Sequence, residues 1–344
     1  MRNLMVALAL AAVGCGDSGA SIPDGGGANP DLANGGSTDL AGIDFAGVDL
    51  TSAGGGDGGP GGCTVFPVTA GCSSGECLWN ADITGATVDS KSMAYLGSIG
   101  LATGMHADFD SVGDGIPFVI VPGNQALVPI NFTAYPGESD PGPYPIPDNA
   151  PIEGGGDRHV IAVDLTNCFL YELYAGIKTA GGWSADNGAK WDLRSSALRP
   201  AGWTSADAAG LPIYPGLVRY DEVINQKVIN HALRFTIEKT QMGYINPASH
   251  GAGSCTLNSS CPPMGLRVRL KPGTVITGYP ASVQVILTAL KKYGMIVADN
   301  AGTGSNWFIS GEPNANWVDD DLSKISGIKG SDFEVLTTGT ITPQ

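Results

Sequence analysis

The chain has 344 residues, of which 51 are glycine and 23 proline. It is 7% aromatic and 15% charged, with 33 acidic against 18 basic residues for a net charge of −15. Such acidity repels phosphate backbones and excludes general nucleic-acid binding. No apolar run of about 18 residues is present to suggest a multi-span membrane protein, and charged residues are too few for a coiled coil.

Arg2 followed by the apolar stretch Met5 to Val13 reads as an export signal over residues 1–14, too short to span a bilayer. It ends in Ala12-Val13-Gly14-Cys15, which resembles the lipobox of bacterial lipoproteins. That resemblance implies a diacylated Cys15 holding the protein on the outer membrane or cell surface, since two acyl chains suffice for stable anchoring. Residues 16–62 contain 16 glycines, seven aspartates and no Lys or Arg. This composition cannot bury enough apolar surface to offset chain entropy. Segment 15–62 is therefore expected to be a disordered tether with a reach of roughly 40 Å. It holds seven negative charges, and residues 63–344 carry the milder remainder, 17 basic against 26 acidic side chains.

Setting Cys15 aside leaves Cys63, Cys72, Cys77, Cys168, Cys255 and Cys261. An even number in an exported chain reads as disulfides. Cys255 and Cys261 bracket a short loop and are the expected pair. Cys168 is expected to clamp the N-terminal cysteines to the body, with the individual pairings open. The spacings lack the paired CxxC motifs of a zinc site.

From residue 63 to 344 no second linker occurs, so one globular domain is expected. Ser90 to Gly100 reads as a helix with Tyr95, Leu96 and Ile99 buried. Arg158 to Leu165 alternates with His159, Ile161, Val163 and Leu165 on one face, and Cys168 to Tyr174 returns as its hairpin partner. Thr204 and Asp207 resemble a capping box opening a short turn. Leu217 to Ile224 and Val228 to Ile237 read as a hairpin about Asn225-Gln226. Leu266 to Lys271 alternates strictly, with Arg267, Arg269 and Lys271 on the outward face. Val283, Ile286, Leu287 and Leu290 follow helical spacing between Pro280 and Gly294. Asp319, Asp320 and Asp321 precede Leu322 as acids at a helix start. Many strands, long Pro/Gly loops and few helices predict a mainly β fold, a β-sandwich or jelly-roll-like body with a few peripheral helices.

Strong catalytic motifs are absent: no GxSxG elbow, Walker loop or HExxH occurs. A hydrolase of peptides or esters is disfavoured for that reason. His159 and His231 sit near the entries of apolar strand faces, where a histidine is ordinarily a core residue. Each has acids nearby, Asp157 for His159 and Asp221-Glu222 for His231, which could orient an imidazole for proton transfer. His250 lies in a polar loop. The stripe Arg267, Arg269, Lys271 reads either as a solvated edge or as a groove for planar anions. Should the histidines and Tyr220, Tyr244 or Tyr293 face that groove, β-elimination on an acidic polysaccharide becomes coherent. Paired carboxylates for a hydrolase could come instead from Asp192, Asp221, Glu222 or Asp299. Trp183, Trp191, Trp203, Trp307 and Trp317 lie in loop-like contexts and serve either to stack on sugars or to plug a sandwich. The expected catalytic set is therefore His159, His231, Asp221, Glu222 and Tyr220, with Arg267, Arg269, Lys271, Trp191 and Trp203 binding substrate. No cofactor is called for; Asp319-Asp320-Asp321 could suggest a structural calcium but lacks the spaced ligands and glycine of an EF-hand. The expected partners are a membrane, through the lipid anchor, and a glycan.

The runs Trp191 to Pro200, Gly202 to Ile213, Pro215 to Val223 and Pro263 to Lys271 resemble a group of exported bacterial proteins of uncharacterised activity. The resemblance implies one module over 78–338 and assigns no catalytic residue. The leading expectation is a surface lipoprotein that acts on or binds an extracellular polysaccharide, lyase- or hydrolase-like. The alternative is a non-catalytic adhesin or envelope structural protein. Convergence of His159, His231, Arg267 and Arg269 in one cleft would favour the enzyme.

Overall fold

The computed structural model describes residues 79–337 and 339–344. The expected signal peptide, Cys15, the tether, and Cys63, Cys72 and Cys77 lie outside the described residues. All described residues belong to the unit that runs over Gly55–Gln344.

The fold is mainly β. Its largest sheet is built from β1 (His106–Asp108), β9 (Leu233–Ile237), β11 (Arg267–Leu270), β12 (Met295–Asn300), β13 (Phe308–Ser310) and β14 (Phe333–Val335), in the order β1-β13-β9-β12-β11-β14. The sheet is mixed: β1 runs parallel to β13 and β9 parallel to β12, while the other pairs are antiparallel. Helix α1 (Ser92–Ile99) packs against β14 and α2 (Ala281–Lys292) against β11. The apolar stripes Tyr95, Leu96, Ile99 and Val283, Ile286, Leu287, Leu290 are buried as their spacing predicts. Gly294 ends the second helix in a left-handed conformation (φ +69°), which a residue with a Cβ adopts only at a cost. Leu233, Phe235, Val268, Trp307 and Phe333 complete this core. The Trp307 ring stacks between Phe235 and Phe333, with centroids 5.7 and 4.9 Å away.

A smaller sandwich adjoins it. Strands β2 (Val119–Val121), β4 (Val160–Asp164), β5 (Phe169–Tyr174) and β8 (Asn187–Asp192) form one sheet in that order. Strands β3 (Ile130–Phe132), β7 (Gly182–Ala185) and β6 (Ile177–Thr179) form the other. The alternation of β4 divides its side chains between two clusters: Val160 and Ala162 meet Trp183 and Ala185, whereas Ile161 and Val163 meet Trp191, Ile213 and Leu217. Strand β10 (Gly243–Tyr244) pairs with β15 (Thr342–Pro343), and the four-residue helix α3 (Asp319–Leu322) starts on the three aspartates.

Cys255 and Cys261 are bonded to each other, and Cys168 is disulfide-bonded as well. The expected 217–237 hairpin does not form. Residues Asp221–Gln226 make a π-helical turn instead, and only Leu233–Ile237 extends. The cause is local. The Asp221 carboxylate accepts hydrogen bonds from the side-chain amides of Asn225 (2.7 Å) and Gln226 (2.6 Å), and Arg219 pairs with Glu222 one helical turn away. Strand β9 takes β12 and β13 as its partners.

Candidate functional site

The site is assembled from both sheet systems. Asp108, Ser310 and Arg234 fall in one row across β1, β13 and β9, since Asp108 registers with Ser310 and the neighbouring pair Ile309–Phe235 sets Ser310 opposite Arg234. Phe235 faces the helices, so period-two alternation turns Arg234 to the other side. A register shift between Val297 and Asp299 brings Asp299 onto the same network. The turn around 204–210 supplies Asp207. Ser205 Oγ donates to the Asp207 carbonyl (2.9 Å) and accepts from the Asp207 N–H (2.9 Å), while Ala209 N–H donates to the Ala298 carbonyl (2.9 Å).

Arg234 is buried and makes a two-point contact with Asp207: Nε to Oδ2 at 3.1 Å and Nη2 to Oδ1 at 2.9 Å. Its Nη1 donates to Ser310 Oγ. Asp299 reaches the same guanidinium at 3.6 Å. Two acids thus share one cation. The fork to Asp207 is the shorter contact, and burial raises the proton affinity of Asp207 and Asp299 alike against the pull of Arg234. Burial and the Asp207 charge push Asp299 up to about 7, against the pull of Arg234. Its side chain remains 22% exposed, which lets it exchange that proton with water.

From the smaller sandwich, His159 precedes β4 and points both ring nitrogens at acceptors. Nδ1 lies 2.5 Å from Glu153 Oε2, and Nε2 lies 3.0 Å from the Ala206 carbonyl. Both nitrogens must carry hydrogen to satisfy that geometry. Burial opposes the charge, but the bond to Glu153 prevails and raises His159 to about 9. Burial likewise works against ionised Glu153, yet His159 holds its carboxyl below the ordinary range. Asp108 is raised, chiefly by burial. Tyr174 completes the rim, its ring centroid 5.8 Å from that of His159. Around His159 and Arg234 the structure thus gathers one carboxyl raised to about 7, Asp299, and one held below its ordinary range, Glu153.

The other expected residues lie elsewhere. Tyr220, Asp221, Glu222 and His231 do come together, but in a second network. Arg219 Nη2 donates to Glu222 Oε1 (2.6 Å), and His231 Nε2 lies 3.1 Å from that nitrogen and 3.2 Å from Glu222 Oε2. His231 Nδ1 donates to the Ala232 carbonyl (2.7 Å). His231, Arg219 and Glu222 are all buried. Nearby Glu312, which accepts the Tyr220 N–H, is raised to about 7, first by burial. His250 Nδ1 donates to the Ala208 carbonyl (2.7 Å).

Of the cationic stripe, Arg269 is buried and Arg267 and Lys271 are half-buried, so it does not form an open outward face. Strand β11 lies between β12 and β14. Arg267 donates to the Tyr293 carbonyl, and Arg269 donates to Glu334 Oε1 (2.6 Å) and the carbonyls of Ile83 and Thr84. Lys271 Nζ donates to the Ser331 carbonyl (2.7 Å). Of the tryptophans, Trp183, Trp307 and Trp317 are core residues. Trp191 borders a cavity of about 210 Å³ together with Leu193, Leu211 and Arg199. The Arg199 guanidinium lies 5.6 Å from the Trp191 ring and 5.5 Å from that of Trp203. Asp192 pairs with Arg194 at 2.8 Å.

Sequence reasoning missed Glu153, Asp207 and Arg234. The available signal was a charge at position 234 inside an otherwise apolar strand. It missed Glu172 also. This buried carboxylate accepts the N–H groups of Ile213 and Tyr214 (both 2.9 Å) and the Trp191 indole N–H (3.2 Å), a clamp holding the 211–214 turn on β5. Among the described residues no group of three His, Cys, Asp or Glu side chains is arranged to hold a metal ion, and no helix is long and apolar enough to cross a membrane. Comparison with known protein families, with curated proteins and with solved structures finds no match for this chain.

Proposed function

We propose that this protein is a lipoprotein, anchored to the outer membrane or cell surface through Cys15, whose β-rich domain hydrolyses an extracellular polysaccharide. The observation that carries the reading is the pair Asp299 and Glu153, whose surroundings drive their proton affinities apart. In this scheme Asp299 protonates the leaving glycosidic oxygen. Glu153 uses Oε1, the oxygen not bonded to His159, to activate water or to attack the sugar carbon. His159 and Arg234 position the two acids and do not touch substrate. A lyase would require Arg267 and Arg269 to neutralise a uronate carboxylate. Both are engaged with backbone carbonyls, and Arg269 with Glu334 as well, which favours hydrolysis over elimination.

Incubating the full chain with neutral, acidic and amino polysaccharides should release new reducing ends without unsaturated products. Unsaturated uronates would move the reading to a lyase. Binding without cleavage would support the second reading, a non-catalytic adhesin or envelope protein, favoured by the internal satisfaction of His231 and Arg269. In that case replacing His159, His231 and His250 together would alter stability alone.

A further inference from the structure

The described residues border a cavity of about 210 Å³ that the hydrolytic scheme leaves unused. Its walls come from three places: Trp191 at the end of β8 with Leu193 just after it, Arg199 in the loop that follows, and Leu211 and Pro212 in the turn beyond Asp207. One buried carboxylate fixes two of these walls. Glu172 accepts the Trp191 indole N–H (3.2 Å) and the N–H groups of Ile213 and Tyr214 (both 2.9 Å), which holds ring and turn at a set separation. Arg199, itself buried, closes the third side, its guanidinium 5.6 Å from the Trp191 ring. The volume lies below the roughly 300–1,000 Å³ of a cleft for a drug-sized molecule, so one ring-sized group fits and an extended chain does not.

The lining is apolar with a few polar groups, and its charges cancel by contact. Asp140 Oδ2 accepts from Arg199 Nη1 (2.6 Å) and from the Lys190 N–H (2.9 Å), and Asp192 pairs with Arg194 at 2.8 Å. The Lys190 ammonium is not in play. Alternation along β8 turns it away from Trp191, and its Nζ sits 4.1 Å from the Phe169 ring centroid. What the cavity keeps uncommitted is of both kinds. Asp140 Oδ1, on a side chain 34% exposed, accepts nothing from the described residues. Three of the five Arg199 N–H groups are engaged, by Asp140, the Thr204 carbonyl (2.7 Å) and the Glu138 carbonyl (2.5 Å). The half-buried hydroxyl of Ser196, also on the lining, has no partner among the described residues. An acceptor beside spare donors complements neighbouring hydroxyls, each of which donates and accepts, while Trp191, Leu211 and Pro212 match the C–H face of a sugar ring. A carboxylate ligand would need an unpaired cation that this lining lacks.

We propose that this cavity is a binding subsite for one neutral sugar residue, a chain end or a branch of the polysaccharide. The inference rests on the polysaccharide reading but not on cleavage by Asp299. The test is titration of the full chain with glucose, galactose, mannose and N-acetylglucosamine, and with glucuronate for contrast, followed by tryptophan fluorescence at low and high salt. At least one neutral sugar should saturate the signal with a Kd in the millimolar range, unchanged by salt, and glucuronate should bind no tighter. Ser196→Phe fills the cavity from its half-buried rim and should weaken binding about tenfold or more. Asp140→Asn keeps an acceptor for Arg199 but turns the free oxygen into a donor, and should also weaken binding about tenfold. Melting temperatures measured alongside separate loss of the sugar from loss of the fold. Saturation by none of the neutral sugars, tighter and salt-sensitive binding of glucuronate, or binding that both variants leave intact would each overturn the proposal. Cleavage of a polysaccharide without sugar binding in the cavity would remove this inference and leave the hydrolase reading standing. Sugar binding that Ser196→Phe abolishes, with no polysaccharide cleaved, would do the reverse.

Discussion

The two histidine networks begin from the same material and end in different chemistry. His231 and His159 are both buried, and each pairs with a glutamate beside an arginine. Around His231, Arg219 binds Glu222 directly and the imidazole fits between them, while Glu312 nearby accepts a backbone N–H. Around His159, Arg234 faces two aspartates, and only one of them obtains the two-point contact. Burial raises both of those acids, and Asp299 is the one that solvent reaches. Burial of a histidine with a carboxylate therefore does not mark a reactive site. What sets the His159 network apart is one arginine contacted by two aspartates, one of which reaches solvent.

The sharpest test of that distinction is Asp299→Asn against Glu312→Gln, one acid from each network. Removing a general acid should lower turnover about 10²- to 10⁴-fold, while the Glu312 variant should stay within about twofold of the parent in the same polysaccharide assay. The reverse outcome would move catalysis to the His231 network.

Next in size is Arg234→Met. It strands Asp207 as a buried, unpaired carboxylate and should cost about 3–5 kcal/mol in urea unfolding. A loss comparable to that of an exposed ion pair, below about 1 kcal/mol, would mean that Asp207 does not depend on Arg234.

The protonation of His159 gives a pH-dependent prediction. Its proton affinity in the folded chain (about 9) exceeds the ordinary value of 6.5. The stabilisation is thus fully present below about 6.5 and fades as pH rises through 9. The difference in stability between the parent and His159→Gln should shrink over that interval, by on the order of 2–3 kcal/mol. A constant difference would mean that the ring is neutral throughout. Turnover should fall on a different limb, above about 7, as Asp299 loses its proton.

The smallest effect is expected at the stripe. Lys271→Ala removes one half-buried bond to the Ser331 carbonyl and should change stability by less than about 1 kcal/mol, with polysaccharide retention unaltered. A marked fall in retention would restore the stripe as a binding surface.

Elements with their own periodicity were legible in the sequence. Both long helices, the β4–β5 pair, β11 and the Cys255–Cys261 bond follow from spacing that needs no knowledge of distant residues. The 217–237 region misled because its apolar alternation competes with the side-chain contacts of Asp221 and Arg219, which favour a helical turn. The outward face of β11 misled for another reason. Alternation separates two faces but does not say that both are covered, and here segment 83–86 lies over Arg269. In the site itself only His159 and Asp299 were nameable. Glu153, Asp207 and Arg234 stand alone among unrelated neighbours: sheet register places Arg234, and loop and turn contacts place Glu153 and Asp207.

The parallel pairing of β1 with β13 joins His106 to Phe308 across most of the domain's length. Pairings so distant along the chain form late, because a long loop must close before they contribute anything. A nascent or translocating polypeptide consequently carries Glu153 and His159 well before Asp299 and Ser310 exist to meet them. Asp299, and the Arg234 that it shares with Asp207, reach their final arrangement only when nearly the whole chain has emerged and the last strands have docked. Completion of folding is thereby the event that joins the His159 network to that of Arg234.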